Sequence, residues 1–370
     1  MRGFDVAVIG LGAMGSAAAY HLASRGARVL GLERFERGHT VASFGGRSRI
    51  IRLAYFEHPD YVPLLRRAWA LWRALEEASG ETLLTETGGL YAGPPDGDLV
   101  AGSLRSAREH GLAHELLDAA EAMRRFPALR LDPGWAAIFE EQAGWLAPER
   151  CVEAHLRLAE RAGATLRFGA PATFRQDGGA VVVESDGRQD RVDRVVVAAG
   201  AWLPELLPIL APALSVERVP LFWFDPVAAV GPLPIWILET PDGDFYGFPP
   251  DQHGLKIARH GDGDIADPDA LDRSARPADE ERVRAFARRY LPVADGPLRS
   301  THVCMYTRTP DGHFVIDAAG DRVVYASACS GHGFKFSSVI GEILADLALD
   351  GATAHPIGFL SAARFAKDLS

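Results

Sequence analysis

Three glycines near the start of the chain have the spacing of a dinucleotide-binding turn. Gly10, Gly12 and Gly15 form the pattern G-x-G-x-x-G between a short apolar run and an alanine-rich segment. Glycines at these positions let the backbone approach a pyrophosphate at the positive N-terminus of a helix. Glu33 ends the next apolar run, where its carboxylate can accept a hydrogen bond from a ribose hydroxyl. The sequence therefore predicts that the chain binds a dinucleotide.

Two further positions bear on which dinucleotide binds. Arg34 could attract the 2′-phosphate of NADP, but the Glu33 carboxylate beside it would repel that group, so NADP is disfavoured. The run RVVVAAGAW at 194–202 ends a later strand in small residues that include Gly200. Small residues suit a backbone that passes close to a ligand. These residues alone leave FAD and NAD open.

Lysine is scarce, which draws attention to the few that are present. It occurs only at 256, 335 and 367, and arginine supplies the other 36 of the 39 basic residues. Lys256 and His260 are four residues apart in the strand-like run LKIARH, so alternation puts both on one face. A compact ammonium group in a dry site can stabilise a developing anion. Codon bias towards arginine is the plainer explanation of the scarcity itself.

Several longer runs resemble one family of flavoenzymes. The most specific are VCMYTRTPDGHFVID at 303–317 and SGHGFKFSS at 330–338, and RIIRLAY, FYGFP and LKIARH occur in the same order. Together they resemble the monomeric sarcosine oxidase and N-methyltryptophan oxidase family of D-amino-acid oxidase-like FAD enzymes, over essentially the whole chain. The resemblance implies an oxidase that demethylates small secondary amino acids and carries covalent FAD.

The resemblance also implies which residues contact the flavin. Cys304 would form a thioether to the flavin 8α-methyl group, and Arg49 would lie against the ring. The loop before the last helix would direct backbone N–H groups and a helix dipole at the pyrimidine ring. The residues expected to bind FAD are Gly10, Gly12, Gly15, Glu33, Arg34, Ser43, Arg49, Gly200, Cys304, Gly331, Gly333, Phe334 and Lys335.

The substrate site follows from the same resemblance. Arg52 and Lys335 would hold the substrate carboxylate, which needs a paired cation when it is buried. A helical turn at Arg49 and Arg52 would place both arginines on one face. Lys256 would lie by flavin N5 and promote the reaction with oxygen, and His260 would lie near the substrate amine. The expected catalytic residues are Lys256, His260, Tyr246, Tyr306 and Arg49, with the two tyrosines lining the cavity.

One segment departs from the family pattern. Many members have His-His-Gly-Asp-Thr-Arg where this chain has Phe44-Gly45-Gly46-Arg47-Ser48-Arg49. Two histidines and an aspartate of that pattern are therefore missing near the flavin ring. The departure leaves open how attachment of the flavin is promoted and how much room the pocket has.

The elements that must position these residues indicate an α/β protein. A βαβ unit opens the chain, amphipathic helices are expected at 61–79 and 148–162, and βα texture returns at the end. Strand-like runs between 214 and 302 suggest an antiparallel sheet that covers a site. We expect a Rossmann-type FAD-binding domain from 1–81, 143–213 and 305–370, and a catalytic domain with a mainly antiparallel sheet from 82–142 and 214–304.

Composition limits the classes of partner and of function. The net charge of −10 disfavours nucleic acid and anionic membranes, which bind through excess basic residues. Three cysteines do not make a disulfide framework, and no run approaches the roughly 20 apolar residues of a membrane span. We expect a cytoplasmic protein, monomeric, without a metal site, whose partners are a small N-methyl amino acid and oxygen.

The sequence thus predicts oxidative demethylation of sarcosine or a similar N-methyl amino acid, giving the amino acid, formaldehyde and hydrogen peroxide. One alternative is a related FAD oxidase or dehydrogenase of another secondary, cyclic or glycated amino acid, such as pipecolate or N-methyltryptophan. A second is a flavoprotein fold kept as a binding or tRNA-modification-associated module. The presence of Lys256, His260, Tyr306 and Lys335 together argues against that second alternative.

Overall fold

Helices and strands alternate along most of the chain in the computed structural model, which describes residues 3–365. The α-helices there are α1 (Ala13–Ser24), α2 (Tyr61–Ser79), α3 (Asp98–Glu109), α4 (Ala119–Arg125), α5 (Pro148–Arg161), α6 (Leu203–Leu206), α7 (Pro277–Tyr290) and α8 (Ser337–Leu349). The strands are β1 (Phe4–Ile9), β2 (Val29–Leu32), β3 (Arg49–Ile51), β4 (Leu84–Glu86), β5 (Gly89–Gly93), β6 (Glu115–Asp118), β7 (Ala136–Glu140), β8 (Gly144–Leu146), β9 (Thr165–Arg167), β10 (Ala172–Asp177), β11 (Ala180–Ser185), β12 (Arg188–Val197), β13 (Ser215–Phe224), β14 (Ile235–Thr240), β15 (Gly243–Gly247), β16 (Leu255–His260), β17 (Leu298–Arg308), β18 (Val315–Ala319) and β19 (Val323–Ser327).

The first large sheet has a parallel centre. Strands β9, β2, β1, β12 and β19 pair in parallel, and β10, β11 and β18 add antiparallel edges. Val6 and Val8 of β1 pack in the cluster that contains α1, α5 and α8, whereas Ala7 and Ile9 pack on the opposite face. The alternation buries both faces, as expected of a parallel sheet. The predicted α/β fold with a Rossmann-type unit is confirmed.

Helix α1 follows the glycine turn and packs against α5 and α8. Its alanines at 17, 18 and 19 are completely buried. A Cβ atom on Gly341 of α8 would overlap Ala17, so the absence of side-chain bulk on both helices permits their close approach. The N-terminus of α1 is thereby fixed at the edge of the sheet where β1 ends.

The second large sheet is antiparallel except where β14 pairs with β5. Helix α7 covers one face, where Phe286 stacks on Phe245 with ring centroids 4.2 Å apart. The other face carries a separate cluster of Val219, Leu221, Trp223, Ala258, Cys304 and Tyr306. Lys256 lies over the Trp223 ring and His260 over the Tyr306 ring, so both belong to this second face, as strand alternation predicts. A third sheet joins β3, β8 and β4.

We propose that the two large sheets belong to the two domains expected from the sequence. The strands of the first sheet all lie within 1–81, 143–213 and 305–370. Strand β17 crosses the expected boundary after residue 304 and stays paired with β13 as far as Arg308. A boundary after Arg308 keeps that strand whole. Residues 1, 2 and 366–370 of the proposed FAD-binding segments lie outside the described residues.

Candidate active site

The glycine turn between β1 and α1 is shaped for an anion. Gly10 has φ +87°, and a Cβ atom there would lie 2.6 Å from the Ala198 carbonyl oxygen. A Cβ atom on Gly15 would overlap the Gly10 carbonyl oxygen. Gly12 is the N-cap of α1, which has neither a side-chain cap nor an acidic residue in its first turn. The free amides and the helix dipole can therefore receive a pyrophosphate.

We expect Gly15→Ala to lower both the FAD content and the thermal stability of the purified protein. The added methyl group must displace the Gly10 turn, and overpacking of this kind costs about 1 to 3 kcal/mol. Gly358→Ala is the matched control, because a Cβ atom there meets nothing within 4 Å. Equal FAD content and equal Tm in the two variants would contradict the close approach described here.

A cavity of about 480 Å³ lies against the glycine turn. The predicted cofactor residues that line it are Gly10, Gly12, Glu33, Arg34, Ser43 and Gly200. Glu33 is buried and accepts hydrogen bonds from the backbone N–H groups of Leu11 (2.8 Å) and Phe35 (3.1 Å), which fix its carboxylate beside the cavity. A carboxylate has further lone pairs for a ribose hydroxyl. These residues fit a bound dinucleotide such as FAD.

A smaller cavity of about 110 Å³ adjoins the larger one. The two share lining at Ala13, Met14, Ser43, Phe44, Ala328 and Cys329, so they form one elongated cleft. The predicted residues that line the smaller part are Ser43, Arg49, Arg52, Tyr246, His260, Tyr306, Gly331, Gly333, Phe334 and Lys335. Those expected to serve the substrate and those expected to serve the flavin ring thus meet beside the dinucleotide cavity.

Two buried cations, Arg52 and Lys335, meet at this smaller cavity. Arg52 binds the Glu57 carboxylate at 2.7 Å, and its Nε atom has no hydrogen-bond partner among the described residues. Lys335 donates to the His332 carbonyl oxygen at 2.7 Å. Burial and then Arg52 lower the pKa of Lys335 to about 7. Burial raises the pKa of Glu57, but Arg52 and other nearby cations outweigh it and bring that pKa to about 2.

The expectation of a helical turn at Arg49 and Arg52 is wrong. Residues Arg49–Ile51 form β3, and Arg52 follows directly after the strand. Both side chains nevertheless line the smaller cavity. They reach it because the chain leaves the sheet between them, and not because they share a helical face.

An imidazole and two phenols form another part of the wall. Tyr306 Oη lies 3.4 Å from His260 Nδ1, and the Tyr246 and His260 ring centroids are 6.3 Å apart. Burial lowers the pKa of His260 to about 4, so the ring is neutral at pH 7. Burial raises the pKa of both tyrosines above 10, so they remain protonated. The group can donate and accept hydrogen bonds without adding charge.

Lys256 and Cys304 line neither cavity. The Lys256 ammonium donates to the carbonyl oxygens of Gly46 and Ser48, each at 2.8 Å. Cys304 donates to the Ser43 carbonyl oxygen at 3.1 Å, and the Arg49 guanidinium lies 3.3 Å from its sulfur. Both therefore lie behind the segment 43–49, of which Ser43, Phe44 and Arg49 line the cleft. Gly15 lines neither cavity because it is packed beneath the glycine turn.

Several residues of the site were not anticipated from the sequence. Glu57, Asp244 and His332 line the smaller cavity, and Cys329 lines both. Asp244 precedes Tyr246 by two residues on β15, so strand alternation was a signal that could have identified it. His332 lies between Gly331 and Gly333 in the run SGHGFKFSS, so that run was a signal for it, whereas Glu57 had none because a bend brings it to the cavity.

His302 lies beside the place where the family pattern has a histidine and this chain does not. Its Nε2 atom is 2.9 Å from the position that a Cβ atom on Gly45 would take. Within residues 3–365 that atom has no hydrogen-bond partner. His302 precedes Cys304 by two residues on β17, so both side chains leave the strand on the same face. A ring from β17 therefore fills space next to Gly45.

Two negative findings concern the described part of the chain. No group of three or more His, Cys, Asp or Glu side chains there could hold a metal ion. Among helices of residues 3–365, none has the length and apolarity that crossing a membrane requires.

Comparisons with known proteins agree with this geometry. Residues 5–347 match the family model described as FAD dependent oxidoreductase. The chain is 45% identical to a monomeric sarcosine oxidase from Streptomyces avermitilis, over 98% of each protein. It is 33% identical to an N-methyl-L-tryptophan oxidase from Salmonella arizonae, over 98% of this chain and all of that protein. The solved structure of NikD, an amino acid oxidase of nikkomycin biosynthesis, superposes with a TM-score of 0.86 at 29% identity and 98% coverage of both chains.

Proposed function

The chain belongs to the FAD-dependent oxidoreductase family, and from that premise we propose that it demethylates sarcosine or a similar N-methyl amino acid with oxygen as the acceptor. Its products would be the amino acid, formaldehyde and hydrogen peroxide. The observation that carries the proposal is the meeting of Arg52, Lys335, His260 and Tyr306 in a small cavity that adjoins the dinucleotide cavity. The names of the curated relatives support the same reaction class.

The polar side chains divide the work in this proposal. Arg52 and Lys335 bind the substrate carboxylate, for which the Arg52 guanidinium supplies a charge and Lys335 has ammonium hydrogens beyond the one bonded to His332. Neutral His260 accepts a hydrogen bond from the substrate amine and so orients the N-methyl group. FAD held in the adjoining cavity would supply the acceptor for a hydride equivalent from that carbon, with oxygen as the final electron acceptor. The resulting imine is hydrolysed by water.

The volume of the smaller cavity supports a small substrate. At about 110 Å³ it is well below the roughly 300 Å³ at which sites for drug-sized ligands begin. Sarcosine suits such a space better than a glycated amino acid. Another small secondary amino acid, such as a cyclic one, carries the same charges as sarcosine and differs from it mainly in shape.

Turnover by the purified holoenzyme tests this function. We would measure hydrogen peroxide and formaldehyde with sarcosine, other N-methyl amino acids, pipecolate and a glycated amino acid. An N-methyl amino acid should give the highest kcat/KM, with one formaldehyde per peroxide. Peroxide without formaldehyde, or faster turnover of pipecolate or the glycated amino acid, would contradict demethylation and support the alternative reaction.

We further propose that FAD is attached through Cys304. Cys304→Ser should bind flavin loosely or be purified as apoprotein, because no thioether can form. The measurement is the visible spectrum of the supernatant after acid precipitation, with the wild type expected to keep its colour in the pellet. Cys329→Ser is the matched control, since Cys329 lines both cavities. Release of flavin from the Cys329→Ser variant alone would show that FAD is attached to Cys329. Release from the wild type would exclude a covalent link.

A further inference from the structure

Asp244 is a carboxylate in the wall of the substrate cavity that the proposed reaction does not use. It lines the smaller cavity together with Arg52, Lys335 and His260. In the β15–β16 pairing it stands directly opposite His260, so the two side chains leave the sheet on the same face. Its carboxylate has no hydrogen bond or ion pair to any side chain of residues 3–365.

The surroundings of Asp244 leave its charge uncompensated. Glu239 stands opposite it on β14, and its carboxylate is bonded to the Leu99 N–H group at the start of α3. Arg259, whose charge acts to lower the pKa of Asp244, is bonded to Asp262 at 2.9 Å. Burial, followed by Glu239 and Asp262, raises the pKa of Asp244 to about 6. The carboxylate is therefore charged at neutral pH in a place that disfavours the charge, and a cationic group would relieve this.

Asp244 is half-buried in the cavity wall and lies next to the exposed hairpin turn that contains Asp242. Arg52 and Lys335, which would hold the substrate carboxylate, line the same cavity as Asp244. Asp244 repels the substrate carboxylate, whereas Arg52 and Lys335 attract it. The opposite end of the substrate therefore points towards Asp244.

From this arrangement we propose that Asp244 is a specificity-determining residue that selects N-methyl amino acids whose side chain carries a positive charge. The inference rests on the proposed function and deepens it by naming a substrate class. The carboxylate and amine of such a substrate lie by Arg52, Lys335 and His260, and its cationic end extends to Asp244. Sarcosine fills the inner part only and leaves Asp244 without a partner.

The test compares one charged and one uncharged substrate of similar length. We would measure kcat/KM for Nα-methyl-L-lysine and for N-methyl-L-norleucine in the wild type, Asp244→Asn and Asp242→Asn. The wild type should prefer the charged substrate by roughly fivefold or more, the effect of one partly screened ion pair. Asp244→Asn should abolish that ratio, and Asp242→Asn, which changes an exposed carboxylate outside the cavity, should keep it.

Three outcomes would overturn the inference: a wild-type preference for N-methyl-L-norleucine, an unchanged ratio in Asp244→Asn, or an equal loss of both substrates in that variant. Equal loss would mean that Asp244 serves the amine common to all substrates. A binding measurement separates this inference from the proposed function. Titrating the flavin spectrum of the oxidised holoenzyme with 4-guanidinobutyrate and with hexanoate needs no turnover. If 4-guanidinobutyrate binds more tightly than hexanoate to the wild type but not to Asp244→Asn, the role of Asp244 is supported even if no N-methyl amino acid is oxidised.

Discussion

Replacing Lys256 with methionine should slow reoxidation of the reduced flavin by oxygen by about 100- to 1000-fold, the usual cost of losing one preorganised electrostatic group. The first electron transfer to oxygen creates superoxide, an anion, and a fixed cation in a dry site stabilises an anion far more than water-screened charge does. Lys256 is buried, lies 4.8 Å from the Phe248 ring centroid, and donates to two carbonyl oxygens and the Ser48 hydroxyl. These acceptors hold the ammonium group in place.

Stopped-flow mixing of the reduced variant with oxygen measures this rate directly. Lys335→Met is the matched control, because it removes another buried lysine and should slow anaerobic reduction by substrate more than it slows reoxidation. A near wild-type reoxidation rate in Lys256→Met would show that Lys256 is structural and that another cation serves oxygen.

The pH dependence of reoxidation gives a second readout of Lys256. Burial and then Arg49 lower the pKa of Lys256 well below its ordinary value of 10.5. Raising the pH therefore removes the cation earlier than for an exposed lysine, and wild-type reoxidation should slow as the pH rises through that pKa. The Lys256→Met variant has no proton to lose at this position and should lack this dependence.

Replacing Arg52 with alanine should weaken binding of carboxylate inhibitors by about 2 to 5 kcal/mol, which is roughly 30-fold or more. The variant removes a guanidinium that lines the smaller cavity and, with it, the charge that attracts the substrate carboxylate. It also leaves Glu57 buried without the arginine that keeps its pKa low. Losing the arginine raises that pKa, so Glu57 adds repulsion only while it stays ionised, and the lost cation is the main cause of the weaker binding.

Titration of the oxidised flavin spectrum with acetate measures the binding constant, and the flavin spectrum reports whether FAD is retained. Arg52→Lys keeps the charge without the planar fork and should fall between the wild type and Arg52→Ala. Glu57→Gln removes the other member of the pair and separates the repulsion by Glu57 from the lost donor. Unchanged acetate affinity in Arg52→Ala, or equal turnover of an N-methyl amino acid and its decarboxylated amine, would contradict carboxylate binding by this residue.

The sequence alone determined the features that depend on neighbours along the chain. The glycine turn could be predicted because only glycine tolerates the φ of Gly10 and the contact at Gly15. The bounds of α2 and the shared face of Lys256 and His260 follow from helical and strand periodicity, which are local properties. The long sequence motifs indicated the family, and the family indicated the FAD cofactor.

Only the tertiary structure decided how distant residues meet. Lys256 bonds to Gly46 across 210 positions of sequence, and Cys304 bonds to Ser43 across 261. No period of 2 or 3.6 residues encodes such contacts, because they depend on how two sheets close around a cleft. For the same reason the helical turn predicted at Arg49 was wrong, and the sequence did not place Glu57 or Asp244 in the cavity wall. Burial and unbalanced charge in that wall determine what these two carboxylates can bind.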